Sequence, residues 1–147
     1  MPGAVTTEVA RAAYLADTSA FTRLDKPHVA AAIGPLIAEG KIALCAPVAF
    51  ELGFSARSGA DHDAIMSRID AFESAPTTEG DHQRALDLQR LLAQQGHHRA
   101  LSLVDALVAA VAETRNLTIL HYDADFELVS NITGQPSHWV VEPGSAD

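Results

Sequence analysis

The chain has 147 residues and a formal net charge of −9; 48% of its residues are hydrophobic but only 5% are aromatic. That length suits one domain, with a core built mainly from Ala, Val, Leu and Ile. The acidic balance argues against nonspecific duplex binding, which needs clustered Lys and Arg to neutralise phosphates. It leaves open an enzyme that meets phosphates through bound metal, because a divalent cation reverses the local sign of an acidic pocket. The lone Cys45 excludes an intramolecular disulfide and fits a reducing compartment. No apolar run approaches a membrane span, and MPGAVTTEVARA lacks the apolar stretch of a signal peptide, so a cytoplasmic protein is expected.

Residues 1–12 read as a flexible lead-in and 13–147 as a single domain. AAYLAD (12–17) is an apolar run ending in an acid, which predicts a buried strand. Thr18 and Ser19 are helix-capping types, and a helix is expected to about Leu24. Val29, Ile33, Leu36 and Ile37 predict a second helix over 28–39 despite Gly34-Pro35, and KIALCA (41–46) a second strand. Pro47 sits where a helix begins, carried on by VAFELGFSAR. Helices are expected over 61–74, with Ile65, Ile69 and Phe72 on one side, and over 79–95, with Leu86, Leu88, Leu91 and Leu92 as its apolar residues. GHHRA (96–100) is a loop, 104–115 an apolar helix, LTILHY (117–122) a third strand, 124–130 a short helix and HWVVE (138–142) a last strand. This alternation predicts an α/β fold with a mostly parallel sheet, in which ligands gather at the carboxyl ends of the strands.

The acids of interest fall at those ends. Asp17 ends the first strand and Asp123 the third, Glu51 lies about one turn into its helix, and Asp105 opens the helix 104–115. Their neighbours are apolar: Tyr14, Leu15 and Ala16; Phe50 and Leu52; Leu103, Val104, Ala106 and Leu107. Carboxylates in such surroundings cost free energy, and drawn together they repel one another and take up protons. A hard divalent cation relieves both, and carboxylate-held Mg²⁺ or Mn²⁺ is the usual apparatus of phosphodiester hydrolysis. No HExxH, Gly-rich phosphate loop or evident cysteine triad competes.

Four segments then carry a resemblance: LADTSAFTRL (15–24), FELGFSAR (50–57), VDALVAAVA (104–112) and LHYDADFELV (120–129). In order and spacing they resemble the motif regions of PIN-domain ribonucleases, in particular the VapC toxins of bacterial toxin–antitoxin pairs, over roughly residues 14–142. The resemblance implies a three-layer α/β/α sandwich, an Mg²⁺ site in which Mn²⁺ can substitute, and RNA cleavage. It implies that Asp17, Glu51, Asp105 and Asp123 form the acidic quartet, with Asp125 as an additional metal-site acid. Thr18 or Ser19 matches a hydroxyl position beside the first acid, placed to bond a metal water or a carboxylate, and Arg23 a basic position in the first helix; all three would serve substrate or support the acids. It further implies a VapB-type antitoxin partner covering the acidic groove, a homodimer, and contact with DNA only through the antitoxin.

Other readings of single residues are ordinary. Asp17 and Asp105 can serve as helix caps, and Asp123 and Asp125 as turn residues. Cys45, Phe54, Phe72 and Phe126 are expected in the core, Trp139 in packing or an interface, and His97 and His98 in solvent. His121 should share a strand face with Asp123. As alternatives to a ribonuclease, a phosphatase using Asp17 would want a second Asp where Ser19 stands, and a receiver domain would want a Lys in 138–142, which has none. A catalytically silent binding module would not need the intact quartet.

Overall fold

A computed structural model describes residues 12–147, so all of the expected lead-in but Ala12 lies outside the described residues. Its elements run β1 (Tyr14–Ala16), α1 (Pro27–Ala38), β2 (Ile42–Cys45), α2 (Ala46–Phe54), α3 (Gly59–Ile69), β3 (Glu73–Ala75), α4 (Glu79–Ala93), α5 (Leu103–Arg115), β4 (Thr118–His121), α6 (Asp125–Thr133) and β5 (Ser137–Trp139). Each main element starts and stops for a local reason. Pro27 and Pro47 occupy first-turn positions, where their missing N–H costs nothing. Ser58, Thr78 and Ser102 cap α3, α4 and α5 with their side-chain oxygens. Asn116 (φ 58°) and Gly134 (φ 78°) end α5 and α6 in the left-handed conformation that closes helices.

The strands form one sheet in the order β3-β2-β1-β4-β5, every adjacent pair parallel. Leu15 pairs with Ala43 on one side and Ile119 on the other. Leu15, Ala16, Ile42, Ala43, Ile119 and Leu120 are almost fully buried, as central strands of a sheet covered on both faces must be. Right-handed crossovers in this order put α1, α2 and α3 on one face and α4, α5 and α6 on the other. The packing agrees: α2 touches α3, and α4, α5 and α6 touch one another. The strand order reverses between β1 and β4, so their carboxyl ends are the switch point at which ligands bind in sheets of this kind.

Several expectations are corrected. The stretch 70–74 is not helical: α3 ends at Ile69 and Glu73–Ala75 pairs with β2 as an edge strand. Only Ala75 of it is buried, so it has no apolar run to betray it. After Asp17 the chain makes a single 3-10 turn, Thr18–Ala20, and then turns rather than a helix to Leu24. Leu86 is 60% exposed while Leu88 and Leu92 are buried, since residues 86 and 88 cannot share a helix face. Phe54 is 84% exposed and so not in the core, whereas Phe126 is fully buried and Phe72 packs against the core. β5 stops at Trp139 instead of running to 142.

One buried charge ties α4 to α5. Asp81 is 1% exposed; its Oδ2 accepts from the Thr78 N–H at 2.9 Å and its Oδ1 from the Thr114 hydroxyl at 2.7 Å. Arg115 Nη1 lies 3.4 Å from Oδ2. Burial pushes the Asp81 pKa up, but the Thr78 and Thr114 hydrogen bonds and the Arg115 charge outweigh it and leave the pKa lowered. Asp81→Ala removes the cap and the cross-helix bond and should cost about 2–4 kcal/mol in urea denaturation at neutral pH. Because the native pKa is the lower one, the difference from wild type should shrink as pH falls through it.

Candidate active site

The four acids come to the switch point from four separate elements and act on one another's charge. Asp17 leaves β1 directly, and its N–H donates to the Leu120 carbonyl at 2.9 Å, extending the β1–β4 pairing by one residue. It is only 3% exposed. Its Oδ2 accepts from the Ser19 N–H at 3.0 Å and the Ser19 hydroxyl at 2.6 Å, capping the 3-10 turn. Its Oδ1 is buried with no hydrogen-bond partner among the described residues. Burial raises its pKa, the Ser19 bonds work against that, and the charges of Asp123 and Glu51 push it further up.

Glu51 sits in the second turn of α2, and its Oε1 accepts from the Thr18 hydroxyl at 2.5 Å. Thr18 and Ser19 thus each hold one acid, by hydroxyls that donate to carboxylates. Asp105 is in the first turn of α5, its N–H donating to the capping Ser102 hydroxyl at 3.1 Å. The helix dipole and the Ser102 bonds favour its charged form. Burial, followed by the charges of Asp17 and Asp123, prevails and pushes its pKa up to about 7. α2 and α5 are in contact, which brings the helices of Glu51 and Asp105 side by side.

Asp123 follows β4 by two residues, and its Oδ1 accepts from the Asp125 N–H at 2.9 Å in an Asx-type turn leading into α6. Burial and then the Asp123 charge raise the Asp125 pKa, so Asp125 feels the cluster from its edge. The Asp123 N–H donates to His121 Nδ1 at 3.0 Å. His121 is fully buried, with the rings of Trp139 and Phe126 at 5.0 and 5.1 Å. Burial drives its pKa down to about 4, so it is neutral at physiological pH and carries its proton on Nε2, leaving Nδ1 as acceptor. Its spacing of two from Asp123 is the signal in the sequence that places it there.

Arg23 points elsewhere. Its Nε donates to the Ala146 carbonyl at 2.9 Å, and its guanidinium lies 4.5 Å from the centroid of the Tyr122 ring. Cys45 is buried, and burial raises its thiol pKa, which makes it a poor nucleophile. His97 and His98 are exposed. Sequence reasoning missed Tyr122, whose N–H donates to the Ser19 hydroxyl at 2.9 Å and joins the ends of β1 and β4.

The donor set suits a hard cation: oxygen ligands only, one carboxylate oxygen buried without a partner, and acids that raise one another's pKa. Among the described residues no three Asp, Glu, His or Cys side chains converge tightly enough to enclose a metal by themselves.

Residues 14–132 match the PIN domain family. The chain is 41% identical over 134 residues to Ribonuclease VapC51 of Mycobacterium tuberculosis, covering 91% of this chain and 97% of that one. It is 41% identical over 134 residues to Ribonuclease VapC21 of the same organism, covering 90% and 97%. Among solved structures it superposes on a DNA-bound VapBC from Salmonella typhimurium with a TM-score of 0.71 at 17% identity, over 88% of this chain and 99% of that one. A toxin–antitoxin complex from Klebsiella pneumoniae gives a TM-score of 0.68 at 17% identity, over 88% and 98%.

The electrostatics predict a pH signature. The folded, metal-free protein keeps the Asp105 proton up to about 7, whereas the unfolded chain releases it near 3.8. The native state therefore binds more protons across that window, and the Asp105 contribution to stability falls as pH rises through it. Asp105→Asn has no such proton to lose. In EDTA, its Tm relative to wild type should rise between about pH 5 and about pH 8. A difference that stays constant would show that Asp105 ionises like an exposed acid.

Proposed function

Because the chain belongs to the PIN-domain family and groups there with the VapC ribonucleases, we propose that it is a metal-dependent endoribonuclease and the toxin of a toxin–antitoxin pair. Mg²⁺, or Mn²⁺ in its place, would be held by Asp17 and Asp105, with Glu51, Asp123 and Asp125 around them. The observation that carries this reading is the Asp17 carboxylate, buried at the sheet's switch point with one oxygen unpartnered and two further acids acting on it. A cluster of this sign repels a phosphodiester unless positive charge is brought to it.

When bound, the cation supplies that charge and stabilises the negative charge that builds up on the phosphoryl oxygens. The chain's own groups do the rest. Ser19 fixes the rotamer of Asp17, leaving Oδ1 as the free donor. Asp105, with its pKa pushed up to about 7, would give up its proton at little cost at neutral pH where a cation is held beside it. Glu51, oriented by Thr18, is the side chain set to accept a proton from an incoming water. His121 anchors the backbone of Asp123 without carrying charge.

The partner proposed is a VapB-type antitoxin, and DNA would be met only through it. Support comes from apolar side chains beside the acids: Phe50 (75% exposed) and Phe54 (84%) flank Glu51 on α2, and Leu103 (71%) precedes Asp105 on α5. A homodimer is proposed on family grounds alone. Among the described residues no helix is long and apolar enough to cross a membrane, and a cytoplasmic site of action is proposed.

Asp17→Asn and Asp105→Asn should each lower Mg²⁺-dependent cleavage of RNA by about a hundredfold or more while circular dichroism stays native. Millimolar Mn²⁺ should raise the Tm of the wild type and not of Asp17→Asn. Cleavage that survives EDTA or both substitutions would overturn the site. In a bacterial host the chain alone should slow growth and co-expressed antitoxin should restore it; harmless expression together with no RNA cleavage would overturn the toxin reading.

A further inference from the structure

We propose that the last residues of the chain clamp the acid cluster, and that Arg23 and Tyr122 are positioning residues for Asp17 and Asp123, with Arg23 not an RNA contact. The inference rests on the reading that these two acids belong to the active site. The β1 and β4 strands end at Ala16 and His121, one and two residues short of the acids they deliver. What fixes the loops beyond those ends is a connected set of side-chain contacts. The Ser19 hydroxyl donates to the Asp17 carboxylate (2.6 Å), and the hydroxyl oxygen accepts from the Tyr122 N–H (2.9 Å). The Tyr122 hydroxyl accepts from the Ala146 N–H at 2.9 Å and donates to Asp147 Oδ1 at 2.8 Å. The Arg23 guanidinium covers the Tyr122 ring while its Nε donates to the Ala146 carbonyl at 2.9 Å.

Ala146 therefore has both backbone polar groups bonded to side chains of the two acid-bearing loops, and it is only 1% exposed. The contacts of Ala146 and Asp147 reach back to Tyr122 and, across 123 positions, to Arg23. Their geometry also bears on which of the two expected roles Arg23 takes, contact with substrate or support of the acids. A guanidinium that reads phosphate presents its fork to solvent; here Nε is taken by a carbonyl and one face of the plane is taken by an aromatic ring. The contacts lie on Tyr122, adjacent to Asp123, and on the turn after Asp17. Loosening them moves the two acids relative to each other, and misplacement by about 1 Å costs on the order of a hundredfold in rate.

The test compares wild type with Arg23→Ala, with Tyr122→Phe, which removes a single oxygen, and with a chain ending at Ser145. Three quantities are read: amide hydrogen exchange at Ser19 and Tyr122 in the metal-free protein, Mn²⁺ affinity by electron paramagnetic resonance, and kcat and KM on a short RNA. Expected are exchange about tenfold faster at both amides, Mn²⁺ binding weaker by several-fold, and kcat lower by about tenfold with KM unchanged. Arg23→Lys, which keeps the charge but not the planar fork, should fail to restore them. A raised KM with kcat and exchange unchanged would make Arg23 an RNA contact and overturn the proposal. A lower Tm with all three quantities unchanged would reduce the clamp to fold stability and overturn it too. If Arg23→Ala does not fold, Tyr122→Phe and the shortened chain carry the same readouts. If wild type cleaves no RNA, the ribonuclease reading fails alone, because exchange and Mn²⁺ binding still decide the clamp.

Discussion

Placing the Asp17 carboxylate, almost without solvent, at the end of a central strand sets the terms for the surrounding structure. An ionised group there loses most of its hydration and faces the charges of Asp123 and Glu51 as well. The protein offsets only half of this. One oxygen receives two hydrogen bonds from Ser19; the other receives none among the described residues. A structure under selection for stability alone would have satisfied both or replaced the acid. The unsatisfied half is the signature of a group held ready for a ligand that completes it.

The fold explains why four acids act on one another without being close in sequence. Reversal of strand order between β1 and β4 makes their carboxyl ends the sheet's switch point. Two strand ends supply Asp17 and Asp123; the meeting of α2 and α5 supplies Glu51 and Asp105. Each acid then has its own local partner: Ser19, Thr18, Ser102 and His121. Those partners are hydroxyls and a neutral imidazole, which orient carboxylates or their backbone without cancelling their charge. A Lys or Arg in any of these places would have removed the demand for a cation.

Much of this was legible before any coordinates. The central strands announce themselves as short apolar runs, and the acids that follow them need no tertiary information to be placed at one edge of a parallel sheet. What escaped did so for physical reasons. β3 has three residues and one buried side chain, and its pairing with β2 is a non-local event. Phe54 misled because PVAFELGF is apolar around nearly the whole helix, so the period carries no phase: Val48 turns inward and Phe50 and Phe54 turn out. Asp81 looks like an ordinary first-turn acid, and its bond to Thr114 spans 33 positions. Arg23 is identical in sequence whether it meets RNA or the carbonyl of Ala146.

The fate of the basic residues sharpens the electrostatic problem. The chain has ten Lys and Arg against nineteen Asp and Glu, and several of the ten are already engaged. Arg84 bridges α4 and α5 through Glu113 at 2.6 Å, Arg115 supports Asp81, Arg90 lies 3.8 Å from Asp87, and Arg23 is folded against Tyr122. With a net charge of −9, on the proposed function a polyanionic substrate meets a protein that repels it overall. Attraction has to come from the imported cation at the scissile phosphate, together with contacts that do not depend on charge, such as the exposed Phe50 and Phe54 beside Glu51. On that proposal, an enzyme built this way would not hold its substrate tightly until the acid cluster had been loaded. The repulsion that makes the metal-free site costly would be the same repulsion that keeps the empty enzyme off RNA.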